Sequence, residues 1–185
     1  MTTYISILRG INVSGHKLIK MDALRALYEN MGLSNVTTYI QSGNVIFNGP
    51  PADTGFLEQK ISGQIKSEFG FEVTILVLTM HQLKEVIENN PFIKAGNENG
   101  KSVQVTFLSV NPDLSNIRVI EDRKQESEGL FISENAVYLH CPNGYGKTKL
   151  ENSFLESKLK VRATTRNWNT TKELYNIAAL TAREI

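Results

Sequence analysis

Two loops of the sequence combine glycine with positively charged side chains, a combination that can bind phosphate or carboxylate groups. The first loop covers residues 9–20, which contain Arg9, Lys17 and Lys20 and no acidic residue. The second loop contains the segment Gly144-Tyr145-Gly146-Lys147-Thr148, between a predicted strand and a predicted helix. Because a glycine-rich turn at a helix N-terminus presents backbone N–H groups to an anion, each loop is a candidate anion-binding site.

The second loop resembles a nucleotide-binding loop only in part. A Walker A sequence needs glycine five residues before Gly146, and that position is Cys141. Thr148 is followed by 37 residues, which are too few for the remaining strands of such a domain. We therefore expect no nucleotide hydrolase. Two interpretations stay open, namely anion binding by Lys147 and Lys149 or a turn with two solvated lysines.

The segment 162–170 has the most unusual composition in the chain, since it contains the only tryptophan together with two arginines and two asparagines. Trp168 can stack on a base and Arg166 can bridge phosphate or base edges, which would suit nucleic acid. Alternatively, Trp168 is a core residue, and Asn167 and Thr170 serve a turn or cap a helix. The sequence leaves both interpretations open for Arg166 and Trp168.

Residues with catalytic potential are few. His140 and Cys141 are adjacent on a predicted strand, so their side chains point to opposite faces and cannot form a dyad. No cluster of histidine, cysteine and acidic residues has metal-ligand spacing, and no Gly-x-Ser-x-Gly segment is present. The sequence therefore predicts no metal site and identifies neither a cofactor nor a catalytic residue.

The composition is that of a folded, water-soluble protein. The chain has 185 residues, 41% of them apolar, and a formal net charge of +1, which excludes collagen-like and strongly disordered classes. No apolar run reaches the ~18 residues that are needed to cross a bilayer. A single cysteine cannot form an internal disulfide, which is typical of the reducing cytoplasm. We therefore predict a cytoplasmic protein with no membrane partner.

Apolar periodicity in the first half predicts the order βαββαβ, which is the ferredoxin-like arrangement. Asp53 is a predicted N-cap for the second helix, and Gly70 is its predicted end. Thr79 and Gln82 predict a capping box for a connecting helix. The predicted elements are strand 4–8, helix 21–31, strands 36–40 and 45–47, helix 53–70 and strand 73–78.

The second half predicts the same order with one helix added. Thr148 and Thr170 each begin a predicted capping box with a glutamate three residues later. The predicted elements are strand 103–110, a helical stretch over 112–125, strands 130–133 and 136–140, a helix after 148, strand 161–165 and a terminal helix. The fold class is therefore α+β, with two related ferredoxin-like halves at residues 1–95 and 101–185, mainly antiparallel sheets and a C-terminal helix. The polar, glycine-rich segment 95–101 is the predicted linker.

An RNA-recognition module has the same fold and exposes aromatic side chains on its open sheet face. Tyr4 and Phe47 are on predicted strands at suggestive positions, but the aromatic consensus of that module is absent from the segment GNVIF at residues 43–47. In a duplicated protein the open sheet faces are expected to be buried, which makes Tyr4 and Phe47 core residues.

Six short segments occur in a recognisable order, namely RGINVSG, TYIQSGNVIF, FGFEVTILV, NPF, NGYGKTKL and TTRNWNT. Together they resemble a bacterial family known as domain of unknown function 1697, and the similarity extends from Tyr4 to about Leu174. The usual first segment of that family has glycine where this chain has Ser14. The resemblance implies a cytoplasmic bacterial protein with two ferredoxin-like parts, and it implies no established reaction.

The loops shared with that family coincide with the basic loops, so the resemblance supports a single ligand-binding site. Its predicted residues are Arg9, Asn12, Lys17, Gln41, Ser42, Asn44, Lys147, Lys149, Arg166, Asn167 and Trp168.

Three functions are consistent with the sequence. The first is a non-catalytic protein that binds a phosphate-bearing ligand, either a nucleotide or a nucleic acid, at the basic loops. The second is an enzyme of unknown reaction that has a polar cleft built from loop residues. The third is a structural or assembly protein without a ligand, in which the loops are only turns.

Overall fold

The computed structural model describes residues 1–94 and 100–184 of the chain. It divides into two compact units: the first comprises Met1–Lys84 together with Glu173–Ile185, and the second comprises Glu85–Lys172. The C-terminal segment therefore packs with the first unit. Most of the predicted linker at 95–101 lies outside the described residues, and the boundaries proposed for the two halves stay a prediction.

The first unit is a ferredoxin-like fold, as the sequence predicts. Its four strands form one antiparallel sheet in the order β2-β3-β1-β4, which is the order that two interleaved βαβ motifs produce. Its elements are β1 (Thr2–Leu8), α1 (Met21–Asn30), β2 (Ser34–Tyr39), β3 (Asn44–Gly49), α2 (Thr54–Phe69) and β4 (Ile75–Thr79).

Local side-chain hydrogen bonds define the helix ends in the first unit. The Asp53 carboxylate accepts a 2.9 Å hydrogen bond from Phe56 N, so Asp53 caps α2 as predicted. Gly70 follows the last residue of the same helix in the left-handed conformation. The Thr79–Gln82 capping box also forms, with Thr79 N donating to Gln82 Oε1 at 2.9 Å and Gln82 N donating to Thr79 Oγ1 at 3.2 Å.

The core of the first unit lies between its sheet and the helices α1 and α2. Tyr4 and Phe47 stack with ring centroids 5.5 Å apart, and both belong to the core cluster that contains Leu24 of α1 and Ile61 of α2. These two aromatic residues are therefore buried against the helices, as core residues, and they present no ring to an RNA base. On the opposite sheet face Ile5 is also completely buried.

The second unit repeats this topology. Its strands form an antiparallel sheet in the order β6-β7-β5-β8. α3 (Met80–Glu88) begins in the first unit and ends in the second. The second unit then contains α4 (Pro91–Lys94), β5 (Val103–Leu108), a 3-10 turn (Leu114–Asn116), α5 (Ile117–Arg123), β6 (Gly129–Ile132), β7 (Ala136–His140), a 3-10 turn (Tyr145–Lys147), α6 (Asn152–Leu159) and β8 (Ala163–Asn167). α7 (Trp168–Thr181) begins in the second unit and continues into the first, which also contains the final 3-10 turn (Ala182–Glu184).

The capping boxes predicted for the last two helices are wrong. α6 begins after Glu151 without a side-chain cap, because Thr148 Oγ1 instead accepts from Leu150 N at 3.1 Å. α7 begins earlier than predicted, since Asn167 Oδ1 accepts from Thr170 N at 2.8 Å and so takes the capping role. β8 runs directly into this cap.

The helices of residues 1–94 and 100–184 are all too short or too polar to cross a bilayer. Among the same residues, no group of three or more His, Cys, Asp and Glu side chains has an arrangement suited to a metal ion.

A buried hydroxyl pair in the first unit allows a test of this packing. Ser6 Oγ and Tyr28 Oη lie 2.7 Å apart in the core, and burial raises the pKa of Tyr28. We expect Tyr28→Phe to lower the free energy of unfolding by about 1–3 kcal/mol, because the Ser6 hydroxyl loses its buried partner. Urea denaturation measures this loss.

The same pair predicts a pH dependence. The folded-state pKa of Tyr28 lies above its ordinary value of 10.0. The contribution of its protonated hydroxyl to the free energy of unfolding is therefore complete below pH 10 and is lost as the pH rises further. Tyr28→Phe should therefore show a shallower alkaline loss of stability than the wild type. Tyr39→Phe, a substitution at the half-buried end of β2, is the control and should behave as wild type. Identical alkaline profiles for the wild type and Tyr28→Phe would contradict this account.

Candidate functional site

The glycine turn, residues 143–149 of the second unit, connects β7 to α6. Gly144 has φ 94, and a 3-10 turn follows over Tyr145–Lys147. Lys147 N donates to Gly144 O at 3.1 Å, and Thr148 N donates to Tyr145 O at 3.2 Å. These two backbone N–H groups are therefore used inside the turn.

Three side chains hold the glycine turn in place, two from outside it and one, Tyr145, from within it. Gln125 Nε2 donates to Lys147 O at 2.7 Å, and Arg123 Nε donates to Lys149 O at 3.1 Å. Tyr145 Oη donates to Thr165 Oγ1 of β8 at 3.2 Å. Because the backbone of both lysines is anchored, the turn is a fixed base for their charges.

Arg123 adds a third positive charge beside Lys147 and Lys149. Its guanidinium carbon lies 4.4 Å from the centroid of the Phe154 ring, so one face of the guanidinium is covered by an aromatic ring. All three cationic side chains are exposed. In the part of the chain that the structure describes, none of them forms a salt bridge. The glycine turn therefore carries three clustered positive charges without a neutralising carboxylate.

Cys141, two residues before the glycine turn, is poorly suited to act as a nucleophile. Its side chain is buried, and desolvation together with the nearby Glu128 carboxylate raises the pKa of the thiol to about 11. The Glu128 carboxylate itself accepts from Gln125 N at 3.0 Å. A buried thiol whose pKa is raised has a very small thiolate fraction at neutral pH and is therefore a weak nucleophile.

The neighbouring residues Thr165 and Arg166 point to opposite faces of β8. Thr165 Oγ1 donates to Asn152 Oδ1 of α6 at 2.7 Å, so Thr165 faces the helices. Arg166, on the other face, donates from Nη1 to Thr165 O at 2.9 Å and to Thr164 Oγ1 at 3.3 Å. Burial lowers the pKa of Arg166 to about 10. The Arg166 guanidinium therefore makes two of its hydrogen bonds to residues of its own strand.

Asn167 and Trp168, the two residues after Arg166, have structural roles. Asn167 caps α7 through its side-chain oxygen. Trp168 is only 4% exposed, so its ring has no free face on which a base can stack. Of the alternatives left open by the sequence, the structure places Trp168 among the core residues.

The first loop, residues 9–20 of the first unit, contains a small hairpin. Val13 pairs with His16, and the two residues between them, Ser14 and Gly15, have φ 50 and 77. Positive φ at both central positions is the signature of a type I′ turn. Glycine is the residue that adopts this conformation without strain, and Ser14 occupies one of the two positions with a side chain.

Asn12 closes the first loop. Its Nδ2 donates to Ile19 O at 2.9 Å and to Gln41 O at 2.8 Å, while its Oδ1 accepts from Ile19 N at 2.9 Å. The side chain therefore uses both of its N–H donors and one acceptor site on backbone groups. Asn12 positions the loop against the turn that follows β2.

The turn after β2 is equally constrained. Asn44 is completely buried, and its Nδ2 donates to Tyr39 O at 3.0 Å and to Ser42 Oγ at 3.2 Å. A Cβ atom on Gly43 would lie 2.6 Å from Ile11 Cδ1, so the first loop and this turn approach as closely as glycine permits. Gln41 remains an exposed side chain at the same place.

The positive charges of the first loop are less concentrated than those of the glycine turn. Lys17 Nζ donates to Glu72 O at 2.6 Å. The Glu72 carboxylate forms a salt bridge with Lys66 at 2.7 Å, and this hydrogen bond is the main reason why the pKa of Glu72 is lowered. The other two positively charged residues of the first loop are Lys20, which is exposed, and Arg9, which is half-buried.

The structure thus groups the predicted site residues within each unit. Asn12, Gln41, Ser42 and Asn44 come together around the first loop through hydrogen bonds. Lys147 and Lys149 share the glycine turn with Arg123 and Gln125, which the sequence analysis missed because they lie in a charged stretch interpreted as an ordinary helix. No local sequence signal identifies those two residues, since they reach the turn across 26 and 22 positions.

Comparisons with known proteins agree with the fold and the motifs. The model of a family described as a protein of unknown function, DUF1697, matches residues 1–138. The chain belongs to this family. No curated protein matches the chain. The solved structure of a conserved bacterial protein from Streptococcus pneumoniae is similar, with a TM-score of 0.76 and 22% sequence identity over 96% of this chain and 98% of that one. At this identity the likeness shows the shared fold.

The hairpin of the first loop gives a prediction about stability. Because Ser14 is held at φ 50, Ser14→Gly should remove left-handed strain and raise the free energy of unfolding by about 0.5–1 kcal/mol. Ser14→Ala keeps the strain while removing the hydroxyl, so it serves as the control and should give no gain. Chemical denaturation of the three proteins tests this, and equal stability of the glycine and alanine variants would contradict it.

Proposed function

We propose that this protein binds a phosphate-bearing ligand, a nucleotide or a nucleic acid, at its basic loops in the bacterial cytoplasm. The observation that carries the proposal is the cluster of Arg123, Lys147 and Lys149 around the glycine turn. These exposed cations lie on an anchored backbone and have no carboxylate partner in the described part of the chain.

The anchoring matters because a flexible loop would lose conformational entropy on binding. Gln125, Arg123 and Tyr145 already hold the glycine turn through hydrogen bonds of 2.7–3.2 Å. The lysine side chains are then the main groups that must become ordered, which lowers the entropic cost of binding. Arg123 offers its remaining N–H groups in a plane that is set by Phe154, and a planar guanidinium suits the oxygens of a phosphate.

In this proposal the first loop is a separate candidate region for ligand contact within the first unit. Asn12 and Asn44 act as positioning residues, since their amide groups bond to the backbone and to Ser42. The side chains of Lys17 and Gln41 are exposed, and Lys17 Nζ keeps further donors beside its hydrogen bond to Glu72 O. This division separates residues that build the loop from residues that meet the ligand.

The enzyme alternative has less support. A reaction at the glycine turn needs a group that exchanges a proton near neutral pH. Cys141 is buried next to the glycine turn with a pKa of about 11, and the Asn12 amide at the first loop is committed to backbone contacts. We therefore favour binding without catalysis.

Replacement of the two turn lysines tests the proposal directly. Lys147→Gln/Lys149→Gln removes two charges without altering the backbone anchors, so binding of ATP or of a 12-nucleotide single-stranded oligonucleotide should weaken by about tenfold or more. Lys60→Gln/Lys172→Gln removes two charges at exposed positions elsewhere and should change affinity less than about twofold. Fluorescence anisotropy or calorimetry measures the dissociation constants.

Salt dependence provides a second measurement on the same variants. Three phosphate contacts on a single strand predict a slope near −2 in log affinity against log salt concentration, and loss of two contacts predicts a slope of about −0.7. Absence of binding to either ligand, or equal losses in the two double variants, would refute the proposed site.

A further inference from the structure

In the described residues, the edge strand β6 of the second unit pairs with β7 alone and lacks the charged residues, prolines and bulges that commonly protect an edge. It lies at the edge of the sheet in the order β6-β7-β5-β8, and its four residues, Gly-Leu-Phe-Ile, include no charge and no proline. Proteins ordinarily protect such edges with charged residues, prolines or bulges, because unpaired backbone groups attract further strands. In β6, Phe131 is 46% exposed.

The equivalent edge strand of the first unit is protected in the expected way. β2 has a register irregularity between Ser34 and Thr37, and Asn35 within it has φ 50. This bulge and the exposed polar side chains of β2 disfavour a further strand. The two units share one topology but treat the same edge differently, which indicates that the open edge of β6 has a use.

The outer edge of β6 presents backbone groups in a regular pattern. Hydrogen-bonded pairs alternate along an antiparallel ladder, and the bond from Ser133 N to Ala136 O begins the β6–β7 hairpin. The alternation directs the N–H and C=O groups of Phe131 toward β7 and those of Leu130 and Ile132 outward. An incoming strand therefore meets two residues with correctly spaced donors and acceptors.

An apolar groove runs beside this edge. It has a volume of about 460 Å³, which is within the range that holds a small ligand or a few side chains. Its apolar lining consists of Leu114, Ile117, Leu130, Phe131 and Ile132. Leu114 in this lining is 52% exposed.

We propose that an extended peptide from a partner protein adds to β6 as a fifth strand and places alternate apolar side chains in this groove. Main-chain hydrogen bonds and side-chain pockets at every second residue are the two components of strand addition. The proposal goes beyond ligand binding at the glycine turn and does not depend on it.

The dimensions of the edge favour a peptide over a second copy of this chain. Four residues of strand span only about 13 Å, whereas a stable dimer buries about 800 Å² on each partner. A single peptide needs less area, because its side chains enter the groove as well as pairing with the edge.

The charges in the groove favour a partner segment that is close to neutral. Glu121 and Lys124 contribute one negative and one positive charge to the lining, and Lys124 Nζ donates to Glu128 O at 3.0 Å. Binding at this edge should therefore depend weakly on salt, in contrast to binding at the glycine turn.

Selection from a library of random eight-residue peptides displayed on phage, carried out on the full chain, tests the proposal. We expect the selected peptides to carry apolar residues at alternate positions. A synthetic peptide of the selected sequence should slow hydrogen exchange at the amides of Leu130 and Ile132, because these amides gain acceptors, and it should leave the Phe131 amide unchanged.

Matched variants separate the groove from the rest of the surface. Leu114→Lys places a charge in the groove and should weaken binding of the selected peptide by about tenfold or more. Val119→Lys places the same charge on α5 at a site of similar exposure, 45%, outside the groove lining, and should leave affinity within about twofold. N-methylation of alternate peptide residues should abolish binding in one register only.

Several results would overturn the proposal. They are a selection without alternating apolar residues, equal effects of the two lysine variants, and no change in exchange at Leu130 and Ile132. Dimerisation of the free chain that Leu114→Lys abolishes would instead assign the edge to a second copy. Because Lys147→Gln/Lys149→Gln should not affect peptide binding, failure here is distinguishable from failure of the proposed ligand site.

Discussion

The loops of this protein contain backbone carbonyl groups that no helix or strand can pair, and the need to satisfy these groups determines how the basic loops are built. Asn12 supplies the partner for two carbonyls in the first unit. Gln125 and Arg123 do the same for the carbonyls of Lys147 and Lys149 in the second. The polar side chains that look most like ligand contacts are therefore committed to the backbone. The side chains of Lys147 and Lys149 remain exposed at the surface, and that separation is the physical basis of the proposed function.

The two units share one topology but differ in their loops and edge strands. Each has four antiparallel strands in the same order, with helices against one face. The differences that bear on the proposed functions lie in the connections and at the edges, where substitutions do not disturb the core. The first unit has a strained hairpin in its first loop and a bulged, polar edge strand. The second has a charged glycine turn and an open apolar edge. A surface for an anion and a surface for a peptide can therefore coexist on one repeated scaffold.

Prediction from the sequence succeeded where the deciding contacts are local. The cap at Asp53 and the box formed by Thr79 and Gln82 involve residues three positions apart, so their spacing alone identifies them. The same rule failed at Thr148, because that hydroxyl bonds to Leu150 N within the turn and α6 starts later without a cap. It also failed at Thr170, where Asn167 is the cap because β8 extends farther than its apolar pattern indicates.

The sequence by itself determined the order of strands and helices, the duplication and the presence of two basic loops, since apolar periodicity and turn residues act over a few positions. Only the tertiary structure decided that Arg123 and Gln125 join the glycine turn, that Trp168 is buried, and that β6 rather than β2 is the open edge. These outcomes depend on contacts between residues far apart in the chain, as in the pairs Gln125–Lys147 and Arg123–Lys149. No local pattern records such contacts, because folding alone brings the partners together.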